Sequence, residues 1–173
     1  MHREGHIGAA LVAYAPLGAI VLTLGFETVA LLGAVAVAGL CMLPDLDLRV
    51  PLLAHRGPTH TVWFTLGVAT LLGLLGAVVG WQRAGGVADG LLTAISLGTF
   101  AFTLGVAAIG SHLVADALTP AGVRPFAPYD DRRFTYALAR ANNPLANYGL
   151  LALGVATVAV GLGIGNRVGG LLG

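Results

Sequence analysis

Five apolar runs constrain what this chain can become. They cover residues 7–24, 28–43, 61–81, 90–118 and 145–165, and all but the fourth lack any charged side chain. About 20 such residues make a helix that crosses a hydrocarbon core of about 30 Å. In lipid every backbone N–H and C=O must pair within the protein, which leaves helices or closed barrels. Barrel strands alternate apolar and polar residues, whereas these runs are unbroken stretches of Leu, Ala, Val and Gly. The expectation is therefore an all-α integral membrane helical bundle of about five transmembrane helices, built by residues 1–173 as one domain. The composition agrees: 57% of residues are hydrophobic and 10% charged, against about 25% charged in soluble domains.

The connections are mostly short. Glu27 and Thr28 separate the first two runs, which predicts a tight helical hairpin whose second member is short. Residues 82–89 form a polar turn after Trp81, an interface anchor. The fourth run is longer than a bilayer requires and should tilt or project at its C-terminal end. Asn143 and Pro144 read as the N-cap and first residue of the last helix. Gly76 and Gly80, and Gly161, Gly165 and Gly169, have the small-x-x-x-small spacing that lets helix backbones approach closely, within the bundle or between copies. The single Cys41 reads as a small core residue. The first run lacks an Ala-x-Ala-type exit and is expected to be retained.

Counting spans assigns each loop to a side. The N-terminus, 44–60 and 119–146 share one side, which holds Arg3, Arg49, Arg56, Arg124, Arg132, Arg133 and Arg140. The other holds Arg83 and Arg167. The positive-inside rule places the first side, and the N-terminus, in the cytoplasm. All five histidines, with Asp45, Asp47 and Asp116, fall on that side or at the membrane edge beside it. The orientation rests on arginines alone, so the one-sidedness of the histidines is independent support for one site.

The stretch 44–60, Pro-Asp-Leu-Asp-Leu-Arg-Val-Pro-Leu-Leu-Ala-His-Arg-Gly-Pro-Thr-His, reads as a shaped loop rather than a helix. In Asp45-Leu46-Asp47 one carboxylate can ligate an ion while the other bridges a second ion or holds a ligand imidazole. In His55-Arg-Gly-Pro-Thr-His60 the Gly-Pro turn can aim both imidazoles inward, and Thr59 reads as a helix N-cap. His112 and Asp116 share a helix face one turn apart, a clamp with one imidazole and one carboxylate. His6 opens the first run. The metal-ligand candidates are thus His6, Asp45, Asp47, His55, His60, His112 and Asp116, with Asp47 and Arg56 as candidate catalytic residues. Mixed imidazole and carboxylate ligands suit Zn²⁺ first and Mn²⁺ or Fe²⁺ next, as one or two ions. Phe126, Tyr129, Phe134 and Tyr136 would lie at headgroup depth, with arginines facing phosphates.

Pro44-Asp-Leu-Asp47, His55-Arg-Gly-Pro-Thr-His60 and His112-Leu-Val-Ala-Asp116-Ala-Leu-Thr-Pro-Ala-Gly122, with the early His6-Ile-Gly-Ala, resemble the YdjM-like family over roughly residues 6–128. Its members are described as membrane-bound metal-dependent hydrolases and as LexA-binding inner-membrane proteins. The order His, Asp, His, then His-x-x-x-Asp is also similar to zinc-dependent phospholipase C and the S1/P1 nucleases. That resemblance implies a helical fold with a zinc cluster that cleaves phosphodiesters. His6, Asp45, His55 or His60, His112 and Asp116 would then be ligands. The later His and His-x-x-x-Glu ligands of that pattern are absent, as is the N-terminal Trp whose amine completes it.

These readings converge on a membrane-bound metal-dependent hydrolase at the cytoplasmic interface, acting on a phosphoester such as a phospholipid. Its partner is membrane lipid rather than nucleic acid, since a formal charge of +1 is too small to bind a polyanion. The rival is a non-catalytic membrane anchor or regulator that binds a cytosolic protein. An ion carrier would need ionisable groups through the membrane depth, and away from their ends the runs have almost none.

Overall fold

The computed structural model describes residues 1–50, 56–83 and 85–172. It contains five helices: α1 (Arg3–Thr23), α2 (Glu27–Leu40), α3 (Val62–Gln82), α4 (Val87–Ala117) and α5 (Pro144–Leu172). Two 3-10 turns, Pro44–Arg49 and Pro58–His60, shape the stretch between α2 and α3. Helix formation follows from the apolar runs, and the boundaries follow from local chemistry. Asn143 Oδ1 accepts from Ala146 N–H at 3.2 Å, so α5 has the cap its sequence announced. α3 differs from expectation. Its cap is Thr61, whose Oγ1 accepts from Phe64 N–H at 3.2 Å, and not Thr59, which turns inward to an acidic partner.

The helices match the expected bundle, four of them long and one short. Four helices, α1, α3, α4 and α5, are long and apolar enough to cross a membrane. α2 has 14 residues, a rise of about 21 Å, short of a hydrocarbon core of about 30 Å. Its early end draws the Pro44–Arg49 turn into the bundle, where Cys41 O accepts from His112 Nδ1 at 2.7 Å.

The largest packing faces are α1 against α5 and α3 against α4, and α1, α2 and α4 join at the centre. Ala10, Tyr14, Val37, Cys41, Leu104 and Ala108 form that central core. The Tyr14 ring is fully buried, and its hydroxyl donates to Ala30 O at 2.6 Å, tying α1 to α2. Outward faces carry Leu71, Leu74, Leu75, Leu91, Leu92 and Ile95, all exposed. In a membrane such faces meet acyl chains; in water they would be a severe aggregation liability.

The glycine spacings serve packing inside the chain. A Cβ on Gly161, Gly165 or Gly169 would meet the carbonyl oxygens of Ala15, Ala19 and Thr23 at 3.1, 2.6 and 3.2 Å. Gly76 and Gly80 likewise face the carbonyls of Leu97 and Thr93 on α4. The polar segment after α4 folds back over the helix end. Tyr136 N–H and Leu138 N–H donate to Ala117 O and Leu118 O at 2.7 and 2.8 Å, satisfying carbonyls that a helix C-terminus leaves open.

Gly165→Ala should therefore destabilise the bundle by about 1–3 kcal/mol, the usual cost of overpacking. Gly163→Ala, where nothing lies within 4 Å, should be neutral or mildly stabilising because Ala is the better helix former. Unfolding of both variants in an SDS titration checks the pair.

Candidate metal centre

The site lies where the start of α1, the exit of α2, the entry to α3 and the end of α4 meet. Asp45 leaves α2, His60 closes the turn before α3, and His112 and Asp116 sit one turn apart near the end of α4. His6, His60, His112 and Asp116 are at most 1% exposed.

Three ligand atoms converge, with a fourth beside two of them. His60 Nε2 lies 3.2 Å from His112 Nε2 and 3.4 Å from Asp45 Oδ1. His112 Nε2 lies 3.5 Å from Asp45 Oδ1. Asp116 Oδ2 lies 3.6 Å from His60 Nε2 and 3.8 Å from His112 Nε2. An ion bound tetrahedrally at about 2.0–2.1 Å separates its ligands by about 3.3–3.4 Å. The observed spacings bracket that value.

The surrounding groups set the tautomers. His112 Nδ1 faces a carbonyl, Cys41 O, which can only accept, so the ring proton sits on Nδ1 and Nε2 is bare. Thr59 Oγ1 donates to Asp47 Oδ2 at 3.1 Å and so accepts from His60 Nδ1 at 3.0 Å. Asp47 Oδ2 itself lies 3.4 Å from that nitrogen. Both Nε2 lone pairs therefore point at one another and at two carboxylate oxygens. Such a cluster fits a cation.

Two groups of side chains come close enough to hold an ion: His6, Asp45 and His112, and His60, His112 and Asp116. Ring geometry separates them. An imidazole lone pair lies in the ring plane, so two histidines share an ion only where their planes cross at it. The His60 and His112 planes meet at 65°. The His6 and His112 rings are stacked, with centroids 3.8 Å apart and planes 7° from parallel. Near-parallel planes at stacking distance do not cross near either ring, so His6 and His112 do not serve one ion. His6 remains beside the centre, with Nε2 at 3.5 Å from Asp116 Oδ1 and a buried Nδ1 that has no partner among the described residues.

The remaining expected residues fall as follows. Asp47 is buried and belongs to neither group. It accepts from Thr59, and from Arg56 N–H at 3.1 Å, and so supports His60 from behind. Arg56 bridges the centre to the segment after α4, with Nη2 donating to Asp116 Oδ1 at 2.9 Å and Nη1 to Gly122 O at 2.6 Å. Its φ of 60° lies in the left-handed region, a strained backbone held by these contacts. His55 lies outside the described residues. The α-amino group of Met1 also reaches Asp116 Oδ1, at 2.7 Å.

Sequence reasoning missed three contributors. Cys41 acts through its carbonyl, which no side-chain pattern reveals. Thr119, 1% exposed, lies 3.5 Å from Arg56 Nη1. Asn147, equally buried, accepts from His2 N–H at 3.0 Å and donates to the Ala141 and Asn143 carbonyls, pinning the start of α1 to α5. A lone Asn inside an apolar run was the available signal.

A family model described as YdjM inner membrane protein matches residues 1–171. The chain belongs to the YdjM family. The match extends beyond residues 6–128 to take in α5. No curated protein and no solved structure matches the chain. Family membership and four long apolar helices make this a multi-pass membrane protein.

In this YdjM-family chain, His60→Gln and His112→Gln should each lose stoichiometric divalent metal, whereas His6→Gln should keep one equivalent. Asp47→Asn, which weakens support for His60, should lower metal affinity about 10–100-fold. Elemental analysis and competition against a chromogenic chelator read both.

Proposed function

We propose that the protein is a metal-dependent hydrolase of phosphoesters, phospholipids foremost, working at the cytoplasmic face of the membrane. The observation that carries this is the convergence of His60 Nε2, His112 Nε2 and Asp116 Oδ2, with Asp45 Oδ1 3.4 and 3.5 Å from the two imidazole nitrogens. Zn²⁺ suits this donor set best and Mn²⁺ next. When bound, such an ion supplies Lewis acidity to a phosphoryl oxygen and to water.

The chain's own groups have distinct tasks. Asp47 and Thr59 hold the His60 ring so that its bare nitrogen faces the centre. Arg56, fixed to Asp116 and to Gly122 O, presents a guanidinium suited to a phosphate oxygen. The uncommitted Nδ1 of His6 is a buried group that can hold a water or a substrate oxygen. The arginine asymmetry of the loops, with all five helices crossing, supports a cytoplasmic site. Lateral diffusion would deliver lipid to a centre at the end of the helices.

One feature favours the rival reading, a non-catalytic anchor or regulator. With Asp45 joining His60, His112 and Asp116, an ion would have four protein ligands, the pattern of structural zinc sites, whereas catalytic sites keep a position open. Hydrolysis would call for one position left to water.

Protein purified without chelator should contain Zn²⁺ or Mn²⁺ and hydrolyse members of a phospholipid and phosphomonoester panel. Chelation, and the His112→Ala/Asp116→Ala double substitution, should abolish turnover. A stoichiometric ion, no turnover across the panel and a loss of thermal stability on chelation would establish the structural role instead.

A further inference from the structure

The bridge between Val123 and Phe134 is antiparallel, with Val123 N–H to Phe134 O at 3.0 Å and Phe134 N–H to Val123 O at 2.8 Å. The residues next to this pair, Arg124 and Arg133, therefore stand opposite one another across the ribbon. Like charges directly opposite are destabilising. Little nearby offsets them. Arg124 reaches only Asp131, at 3.9 Å with both side chains exposed, and Arg133 has no acidic partner among the described residues.

Both arginines line a pocket of about 360 Å³ together with Arg56, Gly57 and Gly122. Gly122 shapes one wall. Its φ is +62°, and a Cβ there would meet Phe134 O at 2.5 Å. Arg124 and Arg133, beside an Arg56 already held by Asp116 and Gly122 O, match the forked, charge-assisted recognition of phosphate.

This pocket shares Gly57 and Ala127 with a larger groove of about 940 Å³, otherwise lined by Pro58, Thr61, Trp63, Phe64, Pro128 and Tyr129. Trp63 and Tyr129 meet edge to face, with centroids 5.4 Å apart. The groove runs beside the first turn of α3, a helix long enough to span the membrane. A cationic pocket opening into an aromatic groove at a helix end has the two-part chemistry of an amphiphile.

We propose that the pocket and groove together bind a lipid with a phosphate head, the phosphate between Arg56, Arg124 and Arg133 and the first methylenes of its chain along Trp63, Phe64 and Tyr129. The choice of substrate class rests on the hydrolase reading, but binding can be measured without turnover. The occupant is a lipid and not free phosphate, because the anion pocket is continuous with the aromatic groove through Gly57 and Ala127, and only an amphiphile engages both.

The chain has two tryptophans, Trp63 and Trp81, at opposite ends of α3. In a Trp81→Phe background Trp63 reports the groove alone. The full chain is placed in phosphatidylcholine vesicles containing a brominated-chain phosphonate lipid, which cannot be hydrolysed, or equally brominated phosphatidylcholine. The phosphonate should quench Trp63 at several-fold lower mole fraction. Arg124→Gln/Arg133→Gln should remove that preference, and Arg124→Lys/Arg133→Lys should restore part of it, which separates lost charge from lost folding. A parallel Trp63→Phe protein, with Trp81 as reporter, should show no preference. Equal quenching by the two lipids, or a preference that survives the Gln variant, would overturn the proposal. Excess inorganic phosphate should leave the quenching nearly unchanged; its complete displacement of the lipid would assign the pocket to free phosphate. No turnover of the phospholipid panel with binding intact would sink the hydrolase reading while leaving this site standing.

Discussion

Two bare imidazole nitrogens 3.2 Å apart, with carboxylate oxygens closing over them, are the interaction on which the structure turns. Lone pairs repel, and burying them without a cation is costly. The fold holds them there anyway, through acceptors behind each ring: the Cys41 carbonyl behind His112, and Thr59 with Asp47 behind His60. Each removes the proton from the nitrogen that faces inward. The arrangement prepares for a positive charge, and the charge balance agrees. Asp45, Asp47 and Asp116 bring three carboxylates, against the Arg56 guanidinium and the Met1 amino group.

The helices impose this meeting by their lengths. α2 ends early, so its exit turn enters the bundle instead of clearing it and reaches His112, about one and a half turns before α4 ends. α4 can carry buried polar residues so near its terminus because the segment from Thr119 to Leu138 seals its last carbonyls. Tyr14 fixes α1 against α2, and Asn147 fixes the start of α1 against α5, which sets where His6 falls. The centre is therefore a product of packing throughout the bundle and not of one loop.

Much of this was legible in the residues. The apolar runs gave the helices because backbone pairing in lipid leaves little choice. His112 and Asp116 showed their shared face through their spacing, and the histidines showed one end through their one-sidedness. Other features depend on facts that sequence does not carry. That Asp47 supports His60 while Asp45 faces the centre depends on how a 3-10 turn rotates successive carboxylates. Thr59 and Thr61 are two residues apart and either could cap α3; the choice fell to Thr61 because Asp47 lies within reach of Thr59. The parallel stack of His6 on His112 follows from the crossing of α1 and α4, and no count of histidines reveals it. α2 is the short member the sequence announced, and its exposed Leu31, Leu32 and Val35 carry the same outward apolarity as the longer helices.

The same reasoning explains why the arginine pocket lies beside the centre. Arg56 is the one residue common to both, with Nη2 on Asp116 and Nη1 on Gly122 O, the backbone that walls the pocket. Its left-handed backbone carries strain that a glycine at that position would not. A glycine there would forfeit the only guanidinium that reaches from a ligand of the centre to the ribbon holding Arg124 and Arg133. The strain is thus the consequence of making one side chain serve as the shared wall between the centre and the ribbon.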